Sequence, residues 1–189
     1  VQINGYRDAA RTALMLRVAP TGKTLADRLE AEQHAAHGFA WIATYSAALD
    51  QLVNWAERLD DDDKLNDLEA LILQLGFAEY INQLRGGLPM SQGEMVRPHD
   101  LDLDAAARRQ LDEGAAGLLA AEGGSMAARA ALASALIDGA DQQFFGDLGL
   151  GDETLVMIQE QFSRFAADKV MPFAHEWHLA DDLIPMSVI

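Results

Sequence analysis

The segment from Thr24 to Leu59 constrains the fold most, because its pattern predicts one long helix with apolar residues on two sides. Two sets of residues recur there at alternating steps of three and four: the first is Phe39, Ile42, Ser46, Leu49, Val53 and Ala56, and the second is Trp41, Tyr45, Ala48, Leu52, Trp55 and Leu59. Residues 39 and 41 lie about 200° apart on a helix of 3.6 residues per turn, so the two sets occupy opposite sides. The pattern predicts the central helix of a bundle, with Trp41 and Trp55 both largely buried.

Capping and helix-breaking residues set the ends of the neighbouring helices. The first helix is expected to follow Asn4 as its N-cap and to stop before Pro20, which cannot continue the hydrogen-bond ladder. The stretch Thr24 to Asp27 resembles a capping box that opens the long helix. After an acidic turn at residues 60–63, a helix from about Leu65 to Arg85 is expected to end at a glycine pair and to pack antiparallel to the long one.

The next part of the chain reads as a structured loop followed by two alanine-rich helices. The loop covers residues 87–103. The helices cover residues 104–122 and 125–140, because Gly123 and Gly124 break the pattern and Ser125 is a natural N-cap.

A glycine-rich connector at residues 146–151 is the best domain boundary in the chain. We therefore expect a helical extension over residues 1–147 and a second region over residues 148–189. The second region begins with an amphipathic helix after Asp152, which Pro172 kinks or ends. The predicted fold class is all-α, a helical bundle with a long central helix.

The composition excludes several classes of protein. A formal net charge of −16 argues against nucleic acid or an anionic membrane as a partner, because phosphates are bound by clusters of Lys and Arg. The chain has no cysteine, hence no disulfide and no thiolate metal site. Its first residues lack the pattern of a signal peptide, and its longest apolar stretch, Leu71 to Ile81, is too short to cross a bilayer. We expect a soluble, cytoplasmic protein.

Two His-x-x-His pairs are candidate metal ligands, His34 with His37 and His175 with His178. Helical spacing places each pair on one face, where two imidazoles could share a metal ion. A ferritin-like di-metal protein would also need Glu-x-x-His motifs, which the sequence lacks. Solvated or capping histidines are the simpler interpretation, so no metal site is predicted.

Other candidate sites have equally simple structural explanations. The loop at residues 86–98 holds Ser91, Gln92, Glu94 and Arg97, which could bind a small polar ligand but lack the spacing of a nucleotide-binding loop. Six aromatic residues could line a ligand pocket, although core packing explains them better: Phe39, Trp41, Tyr45, Trp55, Phe77 and Tyr80. No serine stands in a nucleophile-elbow pattern.

Residues 153–189 contain an aromatic- and alanine-rich helix from Glu153, the exit Val170-Met-Pro172, Trp177 a few residues later, and Pro185 before the next helix. In this order and spacing, these features resemble the opening of acyl-CoA dehydrogenases. Ahead of it, His37 to Tyr45 and the loop at residues 86–98 are similar to the extension carried by methylsuccinyl-CoA dehydrogenases.

The resemblance implies a definite chemistry for a complete enzyme of this family. A glutamate removes the α-proton of an acyl-CoA thioester, FAD accepts the β-hydride, and electrons pass to an electron-transferring flavoprotein. In the family the flavin site and the catalytic base follow the region that this chain resembles. We therefore expect no catalytic, cofactor-binding or metal residue in this chain.

The resemblance also implies partners, namely the remainder of the dehydrogenase, the electron-transferring flavoprotein and further copies in a homo-oligomer. One alternative is a free-standing helical interaction or assembly module that shares only the first dehydrogenase helix. The other is the ferritin-like di-metal protein.

Overall fold

The computed structural model describes residues 2–140 and 145–189, and it confirms the all-α fold. Contacts between residues divide the chain into two units, residues 1–147 and residues 148–189. The helices of the first unit are α1 (Gln2–Val18), α2 (Ala26–Ala31), α3 (Gln33–Asp61), α4 (Asp67–Gly86), α5 (Ala105–Asp112), α6 (Gly114–Leu118) and α7 (Met126–Gly139). Those of the second unit are α8 (Glu153–Phe165) and α9 (Met171–Ala180).

Helix α3 lies between α1 and α4, as its two sets of apolar residues predict. On the side of α1, Ile42 and Leu49 are buried, and the buried Ser46 hydroxyl donates a hydrogen bond to the Asn4 side chain. On the side of α4, the Tyr45 ring stacks on that of Tyr80 with 4.4 Å between centroids. The two neighbours of α3 therefore contact different faces of the helix, since Ser46 and Tyr45 lie about 100° apart around its axis.

The second set is buried to different degrees along the helix. Trp41 and Trp55 are largely but not fully buried, in line with the expectation, whereas Val53 of the first set is exposed. Leu59 alone in the second set is fully buried. Both tryptophans use their indole N–H groups in hydrogen bonds, which favours a position at the edge of the core.

Tertiary contacts move several predicted helix ends. Asn4 lies inside α1, where its side chain binds residues of α1 and α3, and it is not an N-cap. The predicted capping box is also wrong, because Leu25 precedes α2 and no side chain caps that helix. A break at Glu32 separates α2 from α3, at the point where Arg17 of α1 binds the Glu32 carboxylate at 3.0 Å.

The first alanine-rich helix is interrupted as well. It breaks between α5 and α6 at Glu113, and Gly114 takes a positive φ of 59°. The Gln2 side chain stabilises the break, since its amide N–H donates to the Glu113 carbonyl at 2.8 Å and its amide oxygen accepts from the Ala116 N–H at 3.1 Å. Two backbone groups at the break are thus paired by one side chain. A π-helical turn, Leu119–Gly123, follows α6, and Ser125 caps α7 as predicted.

The loop between α4 and α5 contains a small antiparallel ribbon that the sequence does not predict. Strands β1 (Leu88–Pro89) and β2 (Met95–Val96) pair there, and a 3-10 turn (Pro98–Leu101) follows. Gly38 of α3 permits this packing, because a Cβ atom at that position would lie 2.4 Å from the Val96 side chain. The ribbon is therefore held directly against the central helix.

The core of the first unit consists of buried residues from α1, α3, α4, the ribbon, the 3-10 turn, α5, α6 and the π-helical turn after it. It includes Tyr6, Ala10, Leu14, Ile42, Ile81, Leu84, Leu88, Val96, Leu101, Leu111 and Ala116. Within residues 2–140 and 145–189, no helix combines the length and apolarity that crossing a bilayer requires.

In the second unit, Pro172 does not end the helical path. A π-helical turn, Ala166–Val170, separates α8 from α9, and Pro172 stands in the first turn of α9. Proline fits this position because the first N–H groups of a helix have no partner inside it. Asp152 caps α8 by accepting a hydrogen bond from the Thr154 N–H at 2.7 Å.

Candidate functional site

A cluster of histidines and carboxylates joins the start of α3 to the ribbon. Nδ1 of His34 lies 3.4 Å from one Glu94 carboxylate oxygen, and Nδ1 of His37 lies 3.6 Å from the other. On its other side, His34 lies 3.7 Å from Asp100, which also faces His99 at 3.3 Å. The structure thus brings the first candidate histidine pair together with Glu94 of the candidate loop.

The tautomer of His37 makes this cluster a poor metal site. The Trp41 indole N–H donates to Nε2 of His37 at 2.9 Å, so Nδ1 carries the proton of the neutral ring. Nδ1 is the atom that faces Glu94, and a protonated nitrogen cannot bind a metal ion. In the described part of the chain, no three His, Asp or Glu side chains are placed to hold one. The geometry suits charge-assisted contacts that hold the ribbon on α3.

Asp100 is the most strongly engaged acid of this cluster. Partial burial of its carboxyl group acts to raise the pKa, but the hydrogen bond from the Arg97 backbone N–H at 2.7 Å and the nearby His99 and His34 outweigh it. The pKa of Asp100 is therefore lowered. Its carboxylate holds the 3-10 turn against the start of α3.

The rest of the candidate loop does not join the cluster. Ser91 and Gln92 are exposed at the tip of the ribbon, where the Met90 N–H donates to the Glu94 carbonyl at 2.8 Å. The Arg97 side chain is exposed. The loop side chains therefore do not converge on one small-ligand site.

The six candidate aromatic residues separate into three groups. Trp41, Tyr45 and Tyr80 form a series of ring contacts that begins at His37. Phe39 and Phe77 pack against the core of the first unit. Trp55 lies elsewhere, with its indole N–H on the Asp147 carbonyl at 2.9 Å. The aromatic residues therefore do not line one common pocket.

The end of the first unit is held by a buried acid that the sequence analysis missed. Glu69 of α4 is 0% exposed, and its Oε1 accepts a hydrogen bond from the Asp147 N–H at 2.8 Å. The Trp55 indole N–H donates a hydrogen bond to the Asp147 carbonyl. The backbone N–H and the backbone carbonyl of Asp147 are therefore both hydrogen-bonded. One sign of this burial was present in the sequence. Glu69 lies three residues before Ile72, which places it on the apolar face of α4.

The second unit presents apolar residues with little to cover them. No residue of α8 or α9 is buried, and the exposed apolar residues of α8 include Leu155, Ile158, Phe162 and Phe165. These four recur at helical spacing, so they form one face, which we call the α8 face. His175 and His178 of the second candidate pair are both exposed on α9.

Comparison with known proteins agrees with the resemblance found in the sequence. No protein-family model matches the chain. The whole chain is 42% identical, over 193 residues, to the (2S)-methylsuccinyl-CoA dehydrogenase of Cereibacter sphaeroides, and it spans 33% of the length of that protein. The predicted resemblance is thereby confirmed, and over its whole length this chain is similar to one third of an acyl-CoA dehydrogenase.

Proposed function

We propose that the chain acts as the N-terminal accessory region of an FAD-dependent acyl-CoA dehydrogenase of the methylsuccinyl-CoA type. Residues 1–147 would form the helical extension, and residues 148–189 would open the first helical domain of the dehydrogenase. The observation that carries this proposal is the 42% identity over the full chain to a protein about three times as long.

The pockets of the first unit, as far as the structure describes it, do not fit FAD. The cavity beside Tyr6, of about 160 Å³, is smaller than the 300 Å³ or more of an ordinary cofactor site. A depression of about 460 Å³ beside α1 is open to solvent and is lined by three aspartates. The wider depression beside His34, His37 and Glu94 is open to solvent, and it offers a carboxylate where the flavin pyrophosphate would need cations. We therefore assign FAD and the catalytic base to the remaining two thirds of the enzyme.

The α8 face supports the proposal that this chain binds the rest of the dehydrogenase, which carries FAD and the catalytic base. A contiguous exposed apolar face marks an interaction surface, and Phe162 is 70% exposed on it. A relative three times as long supplies a suitable partner, namely the rest of the same dehydrogenase. The α8 face would then pack inside the dehydrogenase domain, and residues 1–147 would lie outside the catalytic centre.

The cellular context of the enzyme is part of the same proposal. The complete enzyme would work in the cytoplasm as a homo-oligomer and would pass electrons to an electron-transferring flavoprotein. These expectations rest on the resemblance to the family.

A chimeric enzyme tests the proposal. The matching third of the C. sphaeroides dehydrogenase is replaced by residues 1–189 of this chain, and flavin content and methylsuccinyl-CoA oxidation are measured. We expect a yellow enzyme with activity close to that of the parent. The isolated chain should be colourless and should reduce no electron acceptor with any acyl-CoA.

Matched substitutions in α8 separate a specific interface from a general effect. Phe162→Glu places a charge on the α8 face, whereas Ser163→Glu places the same charge about 100° around the helix. In the chimera, Phe162→Glu should abolish assembly and flavin binding, and Ser163→Glu should leave both nearly unchanged. Retention of flavin and activity by the Phe162→Glu chimera would favour a free-standing interaction module instead.

A further inference from the structure

Helix α7 is apolar on nearly every side, and yet each of its residues is at least partly exposed. Of its 14 residues, only Arg129 and Asp138 carry a charge. The helix packs against α4, and its less exposed residues share one side, which includes Ala128, Leu132 and Leu136. A helix that is apolar all round is normally covered all round. The outer side of α7 is therefore a candidate contact surface.

The outer side of α7 carries Met126, Ala130, Ala133 and Ile137, which we call the α7 face. All four residues are exposed, and Met126 and Ile137 are 78% and 72% exposed. At about 100° per residue, the four lie within about 60° of one another, on the side turned away from Ala128. They form one apolar stripe that α4 leaves uncovered.

The α7 face has the same spacing in both directions along the helix. Its steps are four, three and four residues, with a large side chain at each end and alanine at both middle positions. If two such helices run antiparallel, Met126 of one copy meets Ile137 of the other. The alanines meet in the middle, where their short side chains let the two backbones approach. A contact about a two-fold axis requires a self-complementary surface of this kind.

The distribution of charge also favours a second copy of this chain at the α7 face. The net charge is −16, so most surfaces of two copies repel each other. Helix α7 has one basic and one acidic residue, and Arg129 pairs with Glu79 of α4. Two copies can therefore meet at the α7 face without placing carboxylates opposite one another.

We propose that the α7 face binds the α7 face of a second copy, forming an antiparallel two-fold dimer of the first unit. The proposal rests on α7 alone, and it does not depend on the α8 face or on the proposed dehydrogenase function. One helix face is smaller than the roughly 800 Å² per partner of a standard interface, so we expect a weak dimer with a dissociation constant of roughly 10–100 μM.

Sedimentation equilibrium of the 189-residue chain tests the proposal. All samples carry Phe162→Glu, so that the α8 face does not contribute to association. Ala130→Glu places like charges across the two-fold axis and should weaken the dimer by about tenfold or more. Ala131→Glu is the matched control, because residue 131 is also exposed but lies about 100° around the helix. It should change the dissociation constant by less than about threefold.

Cross-linking tests the antiparallel orientation, because the chain has no cysteine of its own. A Met126→Cys chain is mixed with an Ile137→Cys chain and treated with a short bis-maleimide. The mixture should cross-link at least about fivefold faster than the Met126→Cys chain alone, since the two copies of residue 126 lie about 16 Å apart along antiparallel helices. Circular dichroism checks that every variant is folded.

Three results would overturn the proposal. The first is a chain that stays monomeric at about 1 mM in the Phe162→Glu background, which would leave the rest of a longer protein as the partner of the α7 face. The second is an equal loss of affinity in the Ala130→Glu and Ala131→Glu variants, because general repulsion would then explain both. The third is cross-linking of the Met126→Cys chain alone as fast as in the mixture.

Discussion

The two units of the chain use similar helical patterns and reach opposite states of burial. In the first unit, the apolar residues of α1, α3 and α4 meet one another, and Leu49, Leu59 and Ile81 are almost inaccessible to solvent. In the second unit, the equally regular pattern of α8 leaves every residue of that helix unburied. Helical periodicity therefore shows which face of a helix needs a partner, whereas the neighbouring elements decide whether the partner is present.

The largest expected effect compares a leucine of the core with an isoleucine of the α8 face. Leu49→Ala should lower the free energy of unfolding by about 2–5 kcal/mol, because it removes buried apolar surface and leaves a cavity. Ile158→Ala, at a side chain that is 45% exposed, should change it by less than about 0.5 kcal/mol. Urea denaturation followed by circular dichroism measures both. Similar losses for the two variants would show that the α8 face is packed in this chain.

The next effect concerns the buried carboxylate that holds the end of the first unit. Glu69→Ala removes the acceptor of the Asp147 N–H and should cost about 2 kcal/mol of unfolding free energy. Glu69→Gln keeps a side-chain oxygen for that N–H and should cost clearly less. The same denaturation experiment applies, and a Gln variant that is as unstable as the Ala variant would rule out the hydrogen bond as the cause.

Removing a helix cap should lower stability by a smaller amount, and the stretch of chain affected should differ between the two units. Asp104 accepts from the Ala107 N–H at 2.8 Å in the first unit, and Asp152 caps α8 in the second. Asp104→Ala should lower the stability of the whole first unit by about 1 kcal/mol. Asp152→Ala should reduce helix content at residues 153–165 alone, as read from carbon chemical shifts. Loss of stability in the first unit on Asp152→Ala would contradict the separation of the two units.

The smallest effect is a dependence of stability on pH at Asp100. Its pKa is lower in the folded chain than in the unfolded chain, so the carboxylate stabilises the fold above about pH 4. That contribution is lost as the pH falls through the lowered pKa. Asp100→Asn should therefore destabilise the chain more at pH 7 than at pH 3. Asp27→Asn, at an exposed aspartate of α2, serves as the control and should show little difference between the two values.

Sequence periodicity was sufficient for the main helices, because their apolar faces repeat over many turns. It was insufficient where a few long-range contacts decide the local structure. Gln2 stabilises the break at Glu113 from 111 residues away. Gly38 has no side chain and so leaves room for Val96 of the ribbon to pack against α3. Such contacts leave no local pattern in the sequence. The short ribbon was missed for the same reason, since two residues in each strand are too few to show alternation.

The candidate sites, like the fold, could be predicted from the sequence only in part. The spacing of His34 and His37 placed them on one face, but only the fold brings Glu94 and Asp100 to them. Trp41 then fixes the tautomer of His37, a detail that no sequence pattern contains. The cavity beside Tyr6 was not predicted at all, because its lining residues come from four separate segments.

Hydrogen exchange at α8 tests the central claim most directly, namely that residues 148–189 need the rest of a dehydrogenase to cover them. The amides of residues 153–165 are compared by mass spectrometry in the 189-residue chain and in the chimera with the C. sphaeroides enzyme. We predict exchange at least about tenfold slower in the chimera, because burial of the α8 face suppresses local opening of the helix. Equal protection of α8 in the isolated chain and in the chimera would contradict the account.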